Sequence, residues 1–303
     1  MSVSKVTNMA ASVKDRLLNE ARNSHRPFDQ ILRYYAMERF LYRLSVSQHA
    51  QDFLLKGSLM LRSLGAELSR PTMDIDLLGK TSNDKVILRK MVEECCAIDI
   101  NDGILFETTG ITLLDIVEGA DYHGVRISFN ARLGPARIPM QIDIGFGDKV
   151  VPAPVWIELP EILDFGTPRL RACTAETAIA EKLHAAVSRE TINSRMKDFY
   201  DIYMMGHYLQ FKGNILVDAV KATFNNRDTP IKKKVPLALT SDFAQYPGKK
   251  EQWAAFVRKL QLKNQPALED VIDFMADFLL PVLNAIACEE KFTLQWQPGG
   301  PWQ

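Results

Sequence analysis

The sequence predicts an α+β protein, with an N-terminal half of short strands and helices and a C-terminal half that is almost wholly helical. Three observations predict it. Apolar residues recur at three-to-four spacing over residues 12–47, the period of a helix. Short apolar or alternating runs, bounded by turn residues, follow between Phe53 and Ile144. From Thr174 onward the helical period returns. A length of 303 residues suits two domains. The boundary is expected in the connector 152–170, which carries Pro152, Pro154, Pro160 and Pro168. The expected domains are therefore 1–165 and 166–303.

The elements follow in order. Leu17, Leu18 and Ala21, then Ile31, Leu32, Tyr35, Phe40, Leu41 and Leu44, mark two helices, with Pro27 in the first turn of the second. Phe53-Leu54-Leu55 reads as a buried strand ending at Gly57. A helix follows with Leu59, Leu61 and Leu64 on its apolar side, Ser58 able to cap it and Gly65 suited to its end. Asp74 to Leu78 reads as the second strand, and residues 84–97 as a helix with Ile87, Met91 and Cys95 along one stripe. Ile111–Val117, Val125–Ala131 and Pro139–Ile144 read as strands, joined by turns such as Glu118-Gly119-Ala120-Asp121. In the helical half, Thr174 suits an N-cap, and Ile179, Leu183 and Val187 form a stripe. On the next helix, Phe199, Ile202, Tyr203 and Leu209 face the core. The tail from Gln297 to Gln303 reads as a mobile end.

Composition narrows the class. Lys+Arg 37 equals Asp+Glu 37, so overall charge does not single out nucleic acid. Residues 1–50 are locally basic, with eight Lys/Arg against four Asp/Glu, a net of +4 (8 − 4). Lys232-Lys233-Lys234 and Lys249-Lys250 are further basic runs, read either as solvated faces or as grips on phosphates. Cys95, Cys96, Cys173 and Cys288 have no zinc spacing and read as small buried apolar residues of a reducing compartment. The first residues lack the apolar core of a signal peptide, and Phe274–Ala287 is too short to span a bilayer. The chain is expected to be soluble and cytoplasmic, with no membrane partner.

The chemistry lies in the acidic residues. Side chains alternate along a strand, so Asp74 and Asp76 point the same way about 6.6 Å apart, while Ile75 and Leu77 turn inward. Two converging carboxylates repel and favour a cation between them. Mg²⁺ or the similar Mn²⁺ suits the pair, filling its other positions with phosphate oxygens and water. Asp143, between Ile142 and Ile144, projects from a strand in the same sense and is the third candidate ligand. Asp148 is its rival, although Gly145 and Gly147 place it near a turn. A solvent-facing strand edge would explain the first pair alone. Gly57 lets backbone approach a phosphate, and the helix behind it offers free N–H groups. Ser58 reads as a phosphate ligand or as a cap, and the two are not exclusive. Lys56 reads as a strand-end charge, His184 as a helix-packing residue, and His123 as an acid–base candidate by residue type alone.

These blocks, with Arg70-Pro71-Thr72-Met73 before Asp74, Ala175-Glu176-Thr177-Ala178-Ile179-Ala180-Glu181-Lys182-Leu183-His184-Ala185 and Arg195-Met196-Lys197-Asp198-Phe199-Tyr200-Asp201, carry a resemblance. Together they resemble the AbiEii/AbiGii-type nucleotidyltransferase toxins of the polymerase-β-like nucleotidyltransferase superfamily, over residues 53–205. The segment from Ser58 to Asp74 is longer than is common there.

The resemblance implies a mixed sheet flanked by helices, a helical domain completing an active-site cleft, and transfer of a nucleotide from a nucleoside triphosphate. It implies metal on Asp74 and Asp76 and Ser58 at the triphosphate; Asp143 as third ligand and Gly57 at the phosphate come from the residues themselves, and Arg70 is expected to join them at the nucleotide. It implies that Lys182 contacts the phosphates and that Asp198 orients Lys182 or the acceptor. It implies RNA, the 3′ end of tRNA, as acceptor, and a cognate antitoxin as partner. Read from the residues alone, Lys182 is an amphipathic helix lysine, and Lys197–Asp201 and Arg195–Asp198 are surface ion pairs. Two rivals stay open: nucleotidylation of a protein or small molecule, and a non-catalytic binding protein of the same fold.

Overall fold

The computed structural model describes residues 8–65, 68, 70–117, 123–260 and 265–303. It divides into two compact units. The first comprises Met1–Leu64, Pro71–Gly147 and Val155–Ala172; the second comprises Gly65–Arg70, Asp148–Pro154 and Cys173–Gln303.

The first unit is a seven-stranded mixed sheet with helices packed on it. Its strands are β1 (Phe53–Lys56), β2 (Ile75–Gly79), β3 (Ile104–Val117), β4 (His123–Leu133), β5 (Ala136–Phe146), β6 (Val155–Glu158) and β7 (Arg169–Ala172), in the order β3-β4-β5-β2-β1-β7-β6. β2 runs parallel to β5 and antiparallel to β1. Its helices are α1 (Met9–Asn23), α2 (Phe28–Val46), α3 (Gly57–Leu64) and α4 (Lys85–Cys96). The Asn8 side chain caps α1, and Asp84 caps α4 by accepting from Val86 and Ile87 N–H.

Alternation in β4 and β5 decides which face is which. Val125, Ile127, Phe129 and Ala131 are buried, as are Ile138, Met140, Ile142 and Ile144. Arg126, Ser128 and Asn130 on β4, and Gln141 and Asp143 on β5, stand half-buried on the opposite face. Phe40 of α2 meets Phe106 and Phe129 in an aromatic cluster, with ring centroids 5.8 and 5.7 Å away.

The basic character of the N-terminal region is partly internal. Arg43 donates to both oxygens of Asp102, at 2.6 and 3.1 Å, and Arg39 donates to the carbonyls of Phe165 and Gly166 and pairs with Glu38. Both arginines are buried, so neither is available to a nucleic acid.

The second unit is helical apart from a short pairing of β8 (Phe211–Lys212) with β9 (Gln295–Trp296). Its helices are α5 (Ala175–Arg189), α6 (Met196–Tyr208), α7 (Gly213–Asn226), α8 (Ser241–Gln245), α9 (Lys249–Leu260) and α10 (Leu268–Ala287). Thr174 caps α5 through the Thr177 N–H. Val271, Ile272, Met275, Phe278, Leu279 and Val282 of α10 are all sealed from solvent, each contributing about 1.5–3 kcal/mol by burial.

Several sequence expectations change. The proline-containing stretch expected as a connector carries β6 and β7, which pair with each other while β7 joins β1. Ile87 is exposed, and Leu88, Met91, Val92 and Cys95 form the buried stripe of α4. The C-terminal tail is anchored: Trp296 donates to the Gly206 carbonyl at 2.7 Å, and Trp302 to that of Phe278 at 2.9 Å. Cys288 is exposed, although Cys95 and Cys173 are buried as expected. Lys249 is buried and donates to the Asn193 carbonyl at 2.7 Å, so it is no phosphate grip. The turn expected at Glu118–Asp121 and the His123 side chain lie outside the described residues. Among the described residues, no helix is long and apolar enough to cross a membrane.

Candidate active site

In the first unit, strand register builds the site. Lys56 lies opposite Asp76, Asp76 opposite Asp143, and Asp143 opposite Arg126. One row across β1, β2, β5 and β4 therefore reads cation, anion, anion, cation. Asp74 sits just before β2 rather than within it. Each of Asp74, Asp76 and Asp143 offers a carboxylate oxygen within 4.8 Å of those of the other two, and all three are half-buried.

The surroundings are made for these carboxylates. Gly57 has a φ of +70°, and a Cβ there would come within 2.0 Å of Asp76 Oδ2. Glycine at 57 is thus required by the close approach of Asp76 as well as by the backbone. α3 begins at Gly57, which puts Ser58 in the first turn rather than at the N-cap. Ser58 is buried. Thr72 Oγ1 donates to Asp74 Oδ1 at 2.5 Å. Arg126 forks onto Asp143, Nε to Oδ1 at 2.9 Å and Nη2 to Oδ2 at 2.7 Å. Those bonds hold Arg126 more firmly protonated, against burial, with further attraction from Asp143, Asp74 and Asp76. Three hard oxygen donors converging on one point, with a glycine clearing space beside them, fit a divalent cation.

A second charged cluster stands in the second unit. Lys182 Nζ donates to Asp198 Oδ1 at 2.9 Å and to Asp201 Oδ2 at 2.7 Å. Arg70 donates to Asp201 through Nε at 2.7 Å and Nη2 at 3.1 Å. Arg195 lies 3.8 Å from Asp198, as its spacing suggested. Burial would lower the Lys182 pKa, but Asp198 and Asp201 outweigh it and raise it. Burial would raise that of Asp201, but Lys182 and Arg70 pull it down. Asp148, the rival of Asp143, pairs with Arg227 at 2.8 Å in this unit and is not part of the acidic triad.

His184 packs as expected, edge-on to Phe224 at 5.1 Å, with Nε2 2.9 Å from Thr229 Oγ1. Burial, with Arg227 nearby, pushes its pKa down to about 4.

Two residues of these clusters were missed from sequence. Arg126 was legible in principle: the two-residue turn Gly134-Pro135 pairs Leu133 with Ala136, and that register runs back to Arg126 and Asp143. Spacing alone pairs Asp201 with Lys197 at i, i+4. Asp201 is only 2% exposed and turns instead to Lys182 and Arg70.

Residues 39–275 match the family described as nucleotidyl transferase AbiEii toxin, type IV toxin–antitoxin system, well over half of the chain. The chain belongs to the AbiEii family. No curated protein matches it. Among solved structures it is similar to JHP933 from Helicobacter pylori, with 17% identity, 86% of this chain and 90% of that one covered, and a TM-score of 0.45. It is also similar to a second H. pylori protein described as a candidate nucleotidyltransferase, with 16% identity, 86% and 98% covered, and a TM-score of 0.46. Membership of the AbiEii family makes this chain a nucleotidyltransferase and the toxin of a type IV system, which implies a nucleotide substrate and an antitoxin partner. The non-catalytic rival is thereby set aside.

Proposed function

We propose that this AbiEii protein moves a nucleotide from a nucleoside triphosphate onto an RNA acceptor, the 3′ end of tRNA, in a reaction that requires Mg²⁺ or Mn²⁺. The observation that carries this reading is the convergence of Asp74, Asp76 and Asp143 beside the start of α3. The three aspartates would hold the cation. When bound, the cation supplies charge neutralisation at the phosphates and a lowered pKa for the attacking hydroxyl.

The other roles belong to the chain itself. The backbone N–H groups of the first turn of α3 receive phosphate oxygens, with Gly57 allowing close approach and Ser58 adding its hydroxyl. Lys182 neutralises charge that develops on the phosphates, and Arg70 joins it. Asp198 orients the Lys182 ammonium through their hydrogen bond. Asp201, buried against both cations, keeps them in place. The exposed lysines Lys232, Lys233 and Lys234, with the accessible basic residues of the N-terminal helices such as Lys14 and Arg22, would track RNA phosphates, whereas Arg39, Arg43 and Lys249 are buried.

The test is incubation of the purified protein with labelled triphosphates, Mg²⁺ and either total RNA or protein extract. Label is expected in RNA. Label in protein would replace the RNA acceptor with the protein one, and absence of label from both would overturn the proposed transfer.

A further inference from the structure

Arg126 stands outside every role assigned above, yet it grips a carboxylate of the acidic cluster with two hydrogen bonds. It is placed there by backbone register, not by a flexible loop: β4 and β5 pair continuously from Leu133–Ala136 to Gly124–Gly145. Its fork takes both oxygens of Asp143. Its charge is also felt by Asp74 and Asp76. Its side chain remains 42% exposed, so it has room to leave.

We propose that Arg126 is a built-in counter-cation that competes with the divalent cation for Asp143 and so sets how tightly the acidic cluster holds metal. The inference rests on reading that cluster as a metal site.

The charges support competition. Three carboxylates carry −3; Arg126 returns +1, and Lys56, opposite Asp76, returns another. The row itself is neutral, and Asp74 beside it leaves the cluster acidic by one charge, which keeps it attractive to a cation while sparing the unliganded fold most of the repulsion. A guanidinium and a divalent ion on the same carboxylate repel each other. A carboxylate has lone pairs enough for both, so the alternative is an arginine that merely orients Asp143, as outer-shell partners of metal ligands do. Arg126 is not the sole constraint on Asp143. Asp143 is held by a strand paired on both sides, and Gln141 Nε2 lies 3.4 Å from its Oδ2. The two alternatives predict opposite signs. Losing a competitor tightens metal binding, whereas losing an orienting group weakens it by about 10- to 100-fold.

The experiment measures Mn²⁺ binding to the full chain by calorimetry, for the wild type, Arg126→Gln, Arg126→Lys and Asp143→Asn. Arg126→Thr serves as a second neutral, strand-compatible variant should the glutamine protein fold poorly. The neutral variants are expected to bind Mn²⁺ about tenfold tighter than wild type. Arg126→Lys should stay near wild type, and Asp143→Asn should bind more weakly. In EDTA the neutral variants should melt below wild type, with Mn²⁺ closing the gap. Unchanged or weaker Mn²⁺ binding in both neutral variants, with wild type binding normally, overturns the competition while leaving the metal site intact. Absence of Mn²⁺ binding in every protein overturns both readings.

Discussion

In the second unit, Asp198 and Asp201 share one buried cluster with Lys182 and Arg70, anion matched to cation. In the first, Asp74, Asp76 and Asp143 converge half-buried, with Arg126 and Lys56 at the flanks of their row. The internal cluster matches each carboxylate with cations and is largely buried. The open one keeps an excess of negative charge. Burial explains the difference, because an unpaired ion in a closed interior costs several kcal/mol, whereas a half-exposed group can leave its surplus for a ligand to neutralise. The same residue type, aspartate, is therefore expected to hold cationic side chains in place in one cluster and to bind a metal in the other.

The largest test of that contrast is Asp201→Asn. It leaves Lys182 and Arg70 facing a neutral amide in a buried site, and should cost about 3 kcal/mol in urea unfolding. A cost below about 1 kcal/mol would show that the cluster is more hydrated than its burial implies. Next, Asp76→Asn should keep the fold, by circular dichroism, and reduce nucleotide incorporation by at least about 10²-fold. Full activity in that variant would remove Asp76 from the metal-binding set.

A third test uses pH. His184 has a folded pKa of about 4, below the ordinary 6.5, so between those values the unfolded chain binds more protons than the folded one. Its contribution to stability is complete above pH 6.5 and is lost as pH falls toward 4. The urea midpoint should drop over that window by an amount equivalent to about 2 kcal/mol, and His184→Gln should flatten the slope. The smallest effect is the most pointed. Without divalent cation, Asp76→Asn should gain about 0.5 kcal/mol, because it relieves like charges opposite each other in the sheet. A loss instead would mean that the flanking cations already balance the row.

Much of the first unit could be read in advance because its signals are local. Phe53-Leu54-Leu55 before Gly57 marked β1 and the turn into α3, and alternation around Asp143 marked its outward direction. The tail misled for an equally physical reason. Gln297 to Gln303 carries the composition of a free end, but Trp296 and Trp302 find Phe278 as a packing partner. Lys249 misled too, since a lysine in a basic run gives no sign that its ammonium will lie over the Phe243 ring.

The chain on its own determined which residues could act: strand spacing dictated that Asp76 and Asp143 turn away from the apolar core, and Thr174 marked the start of a helix. Tertiary structure alone decided which charges meet. Register between distant strands put Arg126 on Asp143, and helix packing turned Asp201 from Lys197 toward Lys182 and Arg70. Direction along a strand or helix follows from a period of two or 3.6 residues, which any window of sequence displays. Partnership depends on pairing and packing between segments far apart in the chain, which no window contains.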